Sequence, residues 1–187
     1  MSKSTINLLL ASMLAVSTAA LASADNYQQA AGQLQQRLGK VLMTTIQNEG
    51  HVAAIKVCNE QAPEIADSVS DQLGVSVGRT ALKVRNPDNR PTSQQQEVLK
   101  QFEQQWQQSQ AKGSSEVPMT TYTNSQGNEV WMKAIVMQPQ CAACHGSSIK
   151  PELQQAINKR YPNDQATGFD VGDVRGAFVV TSRQSAE

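Results

Sequence analysis

Two cysteines and a histidine stand together in the last third of the chain, as Cys141-Ala142-Ala143-Cys144-His145-Gly146. Thiols three positions apart can reach the two vinyl groups of one porphyrin, and the residue after the second thiol then lies against the metal. Cys-x-x-Cys-His is thus the attachment pattern of a c-type haem. In it Cys141 and Cys144 form covalent thioethers, and His145 is the proximal iron ligand. Other chemistries fit the pattern less well. A thioredoxin-like redox pair opens a helix in a βαβ setting and has no use for the following histidine. A structural zinc site needs four ligands, and only Cys58 and His51 remain to complete one. A Cys141–Cys144 disulfide would close too short a loop to add much stability.

The opposite side of such an iron is less determined. The chain has only 2 histidines, so a bis-histidine centre would need His51. Cys58, a methionine (Met43, Met119, Met132 or Met137) and an open position are the other candidates. His51 and Cys58 share a face of one expected helix but are separated by ~10 Å along its axis, so both cannot reach one iron. Cys58 reads equally well as a small buried apolar residue, and His51, directly after Gly50, as a solvated helix start. Haem also brings two propionates that must be paired or wet. Arg79, Arg85 and Arg175 lie beside expected strands, and a guanidinium suits bidentate carboxylate binding. Each could also be an ordinary surface arginine. Asp164, after Pro162-Asn163, reads as turn chemistry.

These residues need elements to position them. Leu34, Leu38, Val41, Leu42 and Ile46 recur at helical spacing and predict a helix from Tyr27 to about Asn48. Gly50 should break or bend it. A second helix is expected from His51 to about Leu73, with Pro63 kinking it or starting a new segment and Gly74 ending it. Val75 to Val84 reads as a strand, and 85–91, with two prolines, as a turn. Ser93 is expected to cap a helix reaching Gln110, with Val98, Leu99, Phe102 and Trp106 as its buried stripe. Val117–Thr123 and Glu129–Met137 form a hairpin. A helix from Pro151 to Arg160 and a strand from Val174 to Ser182 complete the chain. About four helices and four strands in mixed order, with the one clear strand pair antiparallel, indicate an α+β fold.

The 187 residues suit a single domain. Sixteen basic side chains balance sixteen acidic ones, which argues against a nucleic-acid binder with its basic stripe. Only 4 % of residues are aromatic, and a large flat cofactor is one way to fill an interior poor in rings. Residues 1–24 read as an export signal: Lys3, an apolar run from Ile6 to Leu21, then Ala22-Ser23-Ala24 as the cleavage pattern. The run is too short and too interrupted for a good membrane span. The expected mature domain therefore comprises residues 25–187, is periplasmic and has no membrane span. Attachment of haem c requires export, so the two signals support each other.

The order of four short segments resembles a family of single-haem c-type proteins with a PAS-like fold. They are Ala54-Ile55-x-Val57-Cys58 with Ala62-Pro63-x-Ile65-Ala66; Arg85-Asn86-Pro87-x-Asn89-x-Pro91; Met132-Lys133-Ala134-Ile135 through Cys141 to Gly146; and Tyr161-Pro162-x-Asp164-x-Ala166-x-Gly168 with Gly172-Asp173-x-Arg175-Gly176-Ala177. Ala134 departs from the pattern, where proline would be expected. The resemblance implies a small antiparallel sheet wrapped by helices, with covalent haem c on one face. It also implies iron ligation by His145 and, opposite it, Cys58. Members occur as free periplasmic proteins and as sensor domains of histidine kinases and chemoreceptors.

A His/Cys pair of this kind would favour ferric iron and give a low reduction potential. Acid would weaken the thiolate ligand. On reduction the thiolate could take up a proton and leave, opening the site to a diatomic gas such as carbon monoxide or nitric oxide. The functions that follow are a redox or gas sensor working through a separate signalling partner, or a small periplasmic electron carrier working with a redox partner. A haem enzyme of peroxidase type ranks third, since the scarcity of histidine counts against a catalytic constellation.

Overall fold

The computed structural model describes residues 7–183, with side chains from residue 23 onward. Ser2 and Lys3, the start of the expected export signal, lie outside the described residues. The first helix, α1 (Asn7–Lys56), is longer than expected and runs through Ala22–Ala24 without a break. Its first three turns and more contain neither glycine nor proline, so nothing local ends it. Gly50 bends it with φ 85° and ψ 174°, a region of backbone space open essentially to glycine alone. No helix of the described residues is long and apolar enough to cross a membrane.

The second helix does not follow on directly. A π-helical turn, Val57–Gln61, carries Cys58, and the Ala62 N–H reaches back five residues to the Val57 carbonyl. Pro63 lies two residues beyond that turn and explains the wider register, because it has no N–H to give and its ring crowds the carbonyl four residues earlier. Helix α2 (Ala62–Leu73) starts there, and left-handed Gly74 (φ 66°) ends it by donating to the Ser70 carbonyl.

Four strands, β1 (Val75–Thr80), β2 (Met119–Thr123), β3 (Glu129–Val136) and β4 (Val174–Ser182), form one sheet in the order β1-β4-β3-β2. Every pair is antiparallel. Strand β1 stops at Thr80, not at Val84 as expected: the chain leaves the sheet there, and the Val84 carbonyl instead accepts the Gln165 N–H at 2.9 Å. Helix α3 (Ser93–Ala111) is capped by Thr92, not Ser93 as expected, through a reciprocal capping box with Gln95. The expected stripe of Val98, Leu99, Phe102 and Trp106 is buried.

Alternation along the strands divides the interior. Trp131, Phe178 and Val180 pack with Tyr27, Ala30, Leu34 and Val69 from α1 and α2. Val130, Met132, Ala134 and Ala177 pack with the α3 stripe on the other face. Adjacent residues of one strand thus serve opposite cores, as a period of two demands. Ala134 donates its N–H to the Pro118 carbonyl at 2.9 Å, a bond that proline at this position would forfeit. Helix α4 (Ala142–His145) is a single turn too short for a periodic signal, and α5 (Pro151–Arg160) follows it. Leu153, Ile157 and Tyr161 cluster with Ile55 and hold α5 against the end of α1.

Candidate functional site

One cavity of about 250 Å³ is lined by Cys58, Arg79, Arg85, Cys141, Cys144, His145 and Arg175. The cysteines, His145 and the three arginines read from the sequence therefore converge, whereas His51 is exposed and does not line the cavity. Of the four candidate methionines, Met43 and Met137 line it, Met119 is 51 % exposed and Met132 is buried in the α3-side core. Leu38, Leu42, Ala54 and Ile55 supply an apolar wall. The three cysteines are free. Among the described residues no three His, Cys, Asp or Glu side chains converge as a zinc cage would require.

The attachment segment is held by backbone contacts that its own sequence does not reveal. Cys141 ends a 3₁₀ turn, Pro139–Cys141, and Cys144 and His145 lie on α4. A Cβ at Gly146 would come within 2.6 Å of the Ala142 carbonyl, so only glycine permits the chain to turn there. The His145 and Gly146 carbonyls accept the N–H groups of Phe169 and Gly168, both at 3.1 Å. Gly176, another cavity-lining residue, has no room for a side chain, since a Cβ would collide with the Thr80 carbonyl.

His145 Nδ1 lies 2.8 Å from the Ala166 carbonyl and 3.3 Å from Arg175 Nε. One nitrogen cannot donate to the first and accept from the second at once. The shorter contact requires a proton on Nδ1 and leaves the lone pair on Nε2, the tautomer a metal-ligating histidine needs. Burial, then the charges of Arg175 and Arg85, push the His145 pKa down to about 3, against the opposing Ala166 hydrogen bond and Asp164. The imidazole is therefore neutral at ordinary pH.

Ala166 is itself fixed by a buried ion pair. Arg85 donates to Asp164 at 3.1 Å through Nε and at 2.9 Å through a terminal nitrogen. That terminal nitrogen also reaches the Cys144 carbonyl at 2.7 Å and the Ala166 carbonyl at 3.3 Å. Asp164 accepts the Ala166 N–H at 2.9 Å. Arg85 is thus committed to clamping Cys144 to the 164–166 turn, and it is not a free carboxylate receptor as the sequence suggested. The turn reading of Asp164 was correct but incomplete, because the distant partner of its carboxylate could not be seen along the chain.

Arg79, half-buried on β1, makes no side-chain hydrogen bond or ion pair among the described residues, and burial lowers its pKa. Arg175 donates to the Lys83 carbonyl at 3.1 Å and stacks 5.1 Å from the Phe169 ring centre. Burial and the neighbouring Arg85 and Arg79 lower its pKa to about 10, so it stays charged near neutrality. Three guanidiniums against one carboxylate leave the site short of two negative charges. Burial raises the Cys58 pKa, with Arg79 and Arg85 opposing, so without a metal Cys58 is a neutral thiol. Tyr161, buried at the cavity wall, was not singled out as a site residue. Burial raises its pKa, with the Asn59 side chain, beside Cys58, opposing.

No curated protein matches the chain. Among solved structures it resembles the crystal structure of the cyanobacterial haem protein Tll0287, with 26 % identity, a TM-score of 0.62 and coverage of 85 % of this chain and 93 % of that one. A model of the Tll0287-like family matches residues 6–183. With nearly its whole length matched, the chain belongs to the Tll0287-like family.

Proposed function

We propose that this chain is an exported single-haem c-type protein with a PAS-like fold, acting as a redox or gas sensor. The observation that carries the reading is the convergence of Cys58, Cys141, Cys144 and His145 on one cavity with surplus guanidinium charge. The donor set fits the group. Two adjacent thiols are free to form thioethers, and one neutral imidazole keeps its Nε2 lone pair. The two uncompensated positive charges match the two propionates that haem brings. The haem-protein relative adds independent support.

Bound there, haem would supply a one-electron redox centre with a position able to take a diatomic gas. His145 would hold the iron from one side, its ring fixed by the Ala166 carbonyl. Cys58 would hold it from the other side as a thiolate, because a coordinating thiol loses its proton outright. Its buried surroundings would favour the neutral thiol whenever Cys58 is not a ligand. Arg79 is the first partner for a propionate and Arg175 the second, while Arg85 keeps its place on Asp164. The apolar wall of Leu38, Leu42 and Ile55 would exclude water from the macrocycle. Cys58 lies on a π-turn whose register differs from those of its flanking helices, and that local irregularity favours a sensor over a rigid electron carrier.

The test compares visible and ferric EPR spectra of the exported protein with those of Cys58→Ala. A low-spin thiolate-type signal that disappears in the variant is expected, together with binding of carbon monoxide by the reduced wild type. Identical spectra would return Cys58 to a packing role and leave Met43, Met137 or an open position.

A further inference from the structure

A second cavity, of about 380 Å³, lies on the α3 side of the molecule and is distinct from the cleft that holds Cys58 and His145. Leu82, Leu99, Trp106 and Phe169 give it apolar walls. The Trp106 indole donates to the Gly172 carbonyl at 2.6 Å and fastens the 168–173 loop to α3. Four charged side chains line the space: Lys83, Arg175, Glu103 and Asp173.

No ion pair joins any of the four to another. Each is held apart from its opposites. Lys83 Nζ and the Arg175 guanidinium both sit 5.1 Å from the Phe169 ring centre. Arg175 also donates to the Lys83 carbonyl, and Asp173 accepts the Asp170 N–H at 2.8 Å. Glu103 makes no side-chain hydrogen bond. Burial and the nearby Asp173 raise its pKa, with Lys83 opposing, which places both carboxylates within reach of one another's field. An anion alone would meet the two carboxylates here, and a metal cation would meet the lysine and arginine. A small molecule carrying both signs satisfies all four, and the apolar walls accept a side chain.

We propose that this cavity binds a free amino acid, its carboxylate at Lys83 and Arg175 and its ammonium at Glu103 and Asp173, and that Arg175 relays occupancy to the haem centre. Arg175 lines both cavities, and its Nε stands 3.3 Å from His145 Nδ1. Its several N–H donors let it serve both sides. A carboxylate drawn to this guanidinium reduces the positive charge felt beside His145, which favours the oxidised iron. The relay rests on the haem reading above, whereas the binding site does not.

The test titrates haem-loaded protein with each of the twenty free L-amino acids by calorimetry, with acetate and methylamine as half-ligands. Saturable binding of at least one amino acid is expected, with both half-ligands about ten-fold weaker or worse, since each loses a charged partner. Glu103→Gln and Lys83→Gln, both on accessible side chains, should each weaken it by a similar factor. The bound ligand should lower the midpoint potential. No saturable heat with any amino acid, or binding that ignores both substitutions, overturns the site. Binding that leaves the potential unmoved overturns the relay and keeps the site. Haem content, read separately from the pyridine adduct spectrum, reports whether the haem reading has failed.

Discussion

Asp164 and Arg85 are 3 % and 8 % exposed as side chains, and a pair so buried matters most for what it positions. It fixes Ala166, and Ala166 fixes the His145 tautomer. Asp164→Asn would leave Arg85 as an uncompensated buried cation, and we expect a loss of ~3–5 kcal/mol in urea unfolding. It should also broaden the distribution of ferric EPR signals, because the His145 ring loses its fixed acceptor. His145 gives a pH prediction whose sign can be worked out. Its folded pKa of about 3 lies below the ordinary histidine value of 6.5. The unfolded chain therefore binds the proton first, and stability present above about pH 6.5 is lost as pH falls toward 3. A Cys141→Ala/Cys144→Ala variant without haem should show this as a falling urea midpoint between pH 7 and pH 4. A flat profile would mean that the imidazole is solvated. Arg79, by contrast, has no hydrogen-bond or ion-pair partner among the described residues to lose. Arg79→Ala should leave the urea midpoint of the haem-free chain nearly unchanged and lower the midpoint potential of the haem-loaded protein in a redox titration, because a positive charge beside the propionates is lost.

At the scale of elements, two irregularities shape the site. Gly50 turns α1 before Ala54 and Ile55 reach the cavity wall. Its φ and ψ suit no side chain, so Gly50→Ala should cost ~1–3 kcal/mol, measurable as a lowered unfolding midpoint. Space is not the obstacle, since nothing lies within 4 Å of a Cβ there, and the cost would isolate backbone strain. The π-turn carrying Cys58 is the second irregularity. The sequence announced Pro63 as a break, but whether a proline kinks a helix, starts a new one or widens the preceding turn depends on what the helix packs against. Elements whose signals are local were legible with the right ends, as with α5 and β4. The single-turn α4 was not, because four residues carry no period.

At the scale of the whole molecule, the four short segments that are far apart in sequence meet around one cavity. Ala54, Ile55 and Cys58 come from the first, Arg85, Asn86 and Asn89 from the second, Ile135, Cys141, Cys144 and His145 from the third, and Tyr161, Arg175 and Gly176 from the fourth. The helical layers on the two sheet faces leave this cleft at one end of the sheet, where β1 ends and the chain crosses to Gln165. The proposed export concerns the whole molecule too, because covalent attachment of a haem c would follow translocation. Intact-mass measurement of the secreted protein should give a chain beginning at Asp25 with one haem added. A mass that retains residues 1–24 would mean that the leader stays attached to α1.

The sequence by itself determined the chemistry on offer. Cys-x-x-Cys-His carries the proposed haem c reading through residue types and spacing, and hydrophobic periodicity predicted the main helices, the hairpin and the α+β class. Spacing left Cys58 and His51 both open, and tertiary structure places Cys58 at the cavity and His51 away from it. Both were expected on one helix face ~10 Å apart along its axis, and only folding shows which end of that face the other cavity-lining segments reach. Tertiary structure also distinguished three arginines that look alike in sequence: one clamped to Asp164, one unpartnered, and one shared between two cavities. Charge pairing at a separation of 79 residues, as between Arg85 and Asp164, leaves no periodic trace along a chain. It exists only once the backbone has folded and solvent has been excluded from both partners.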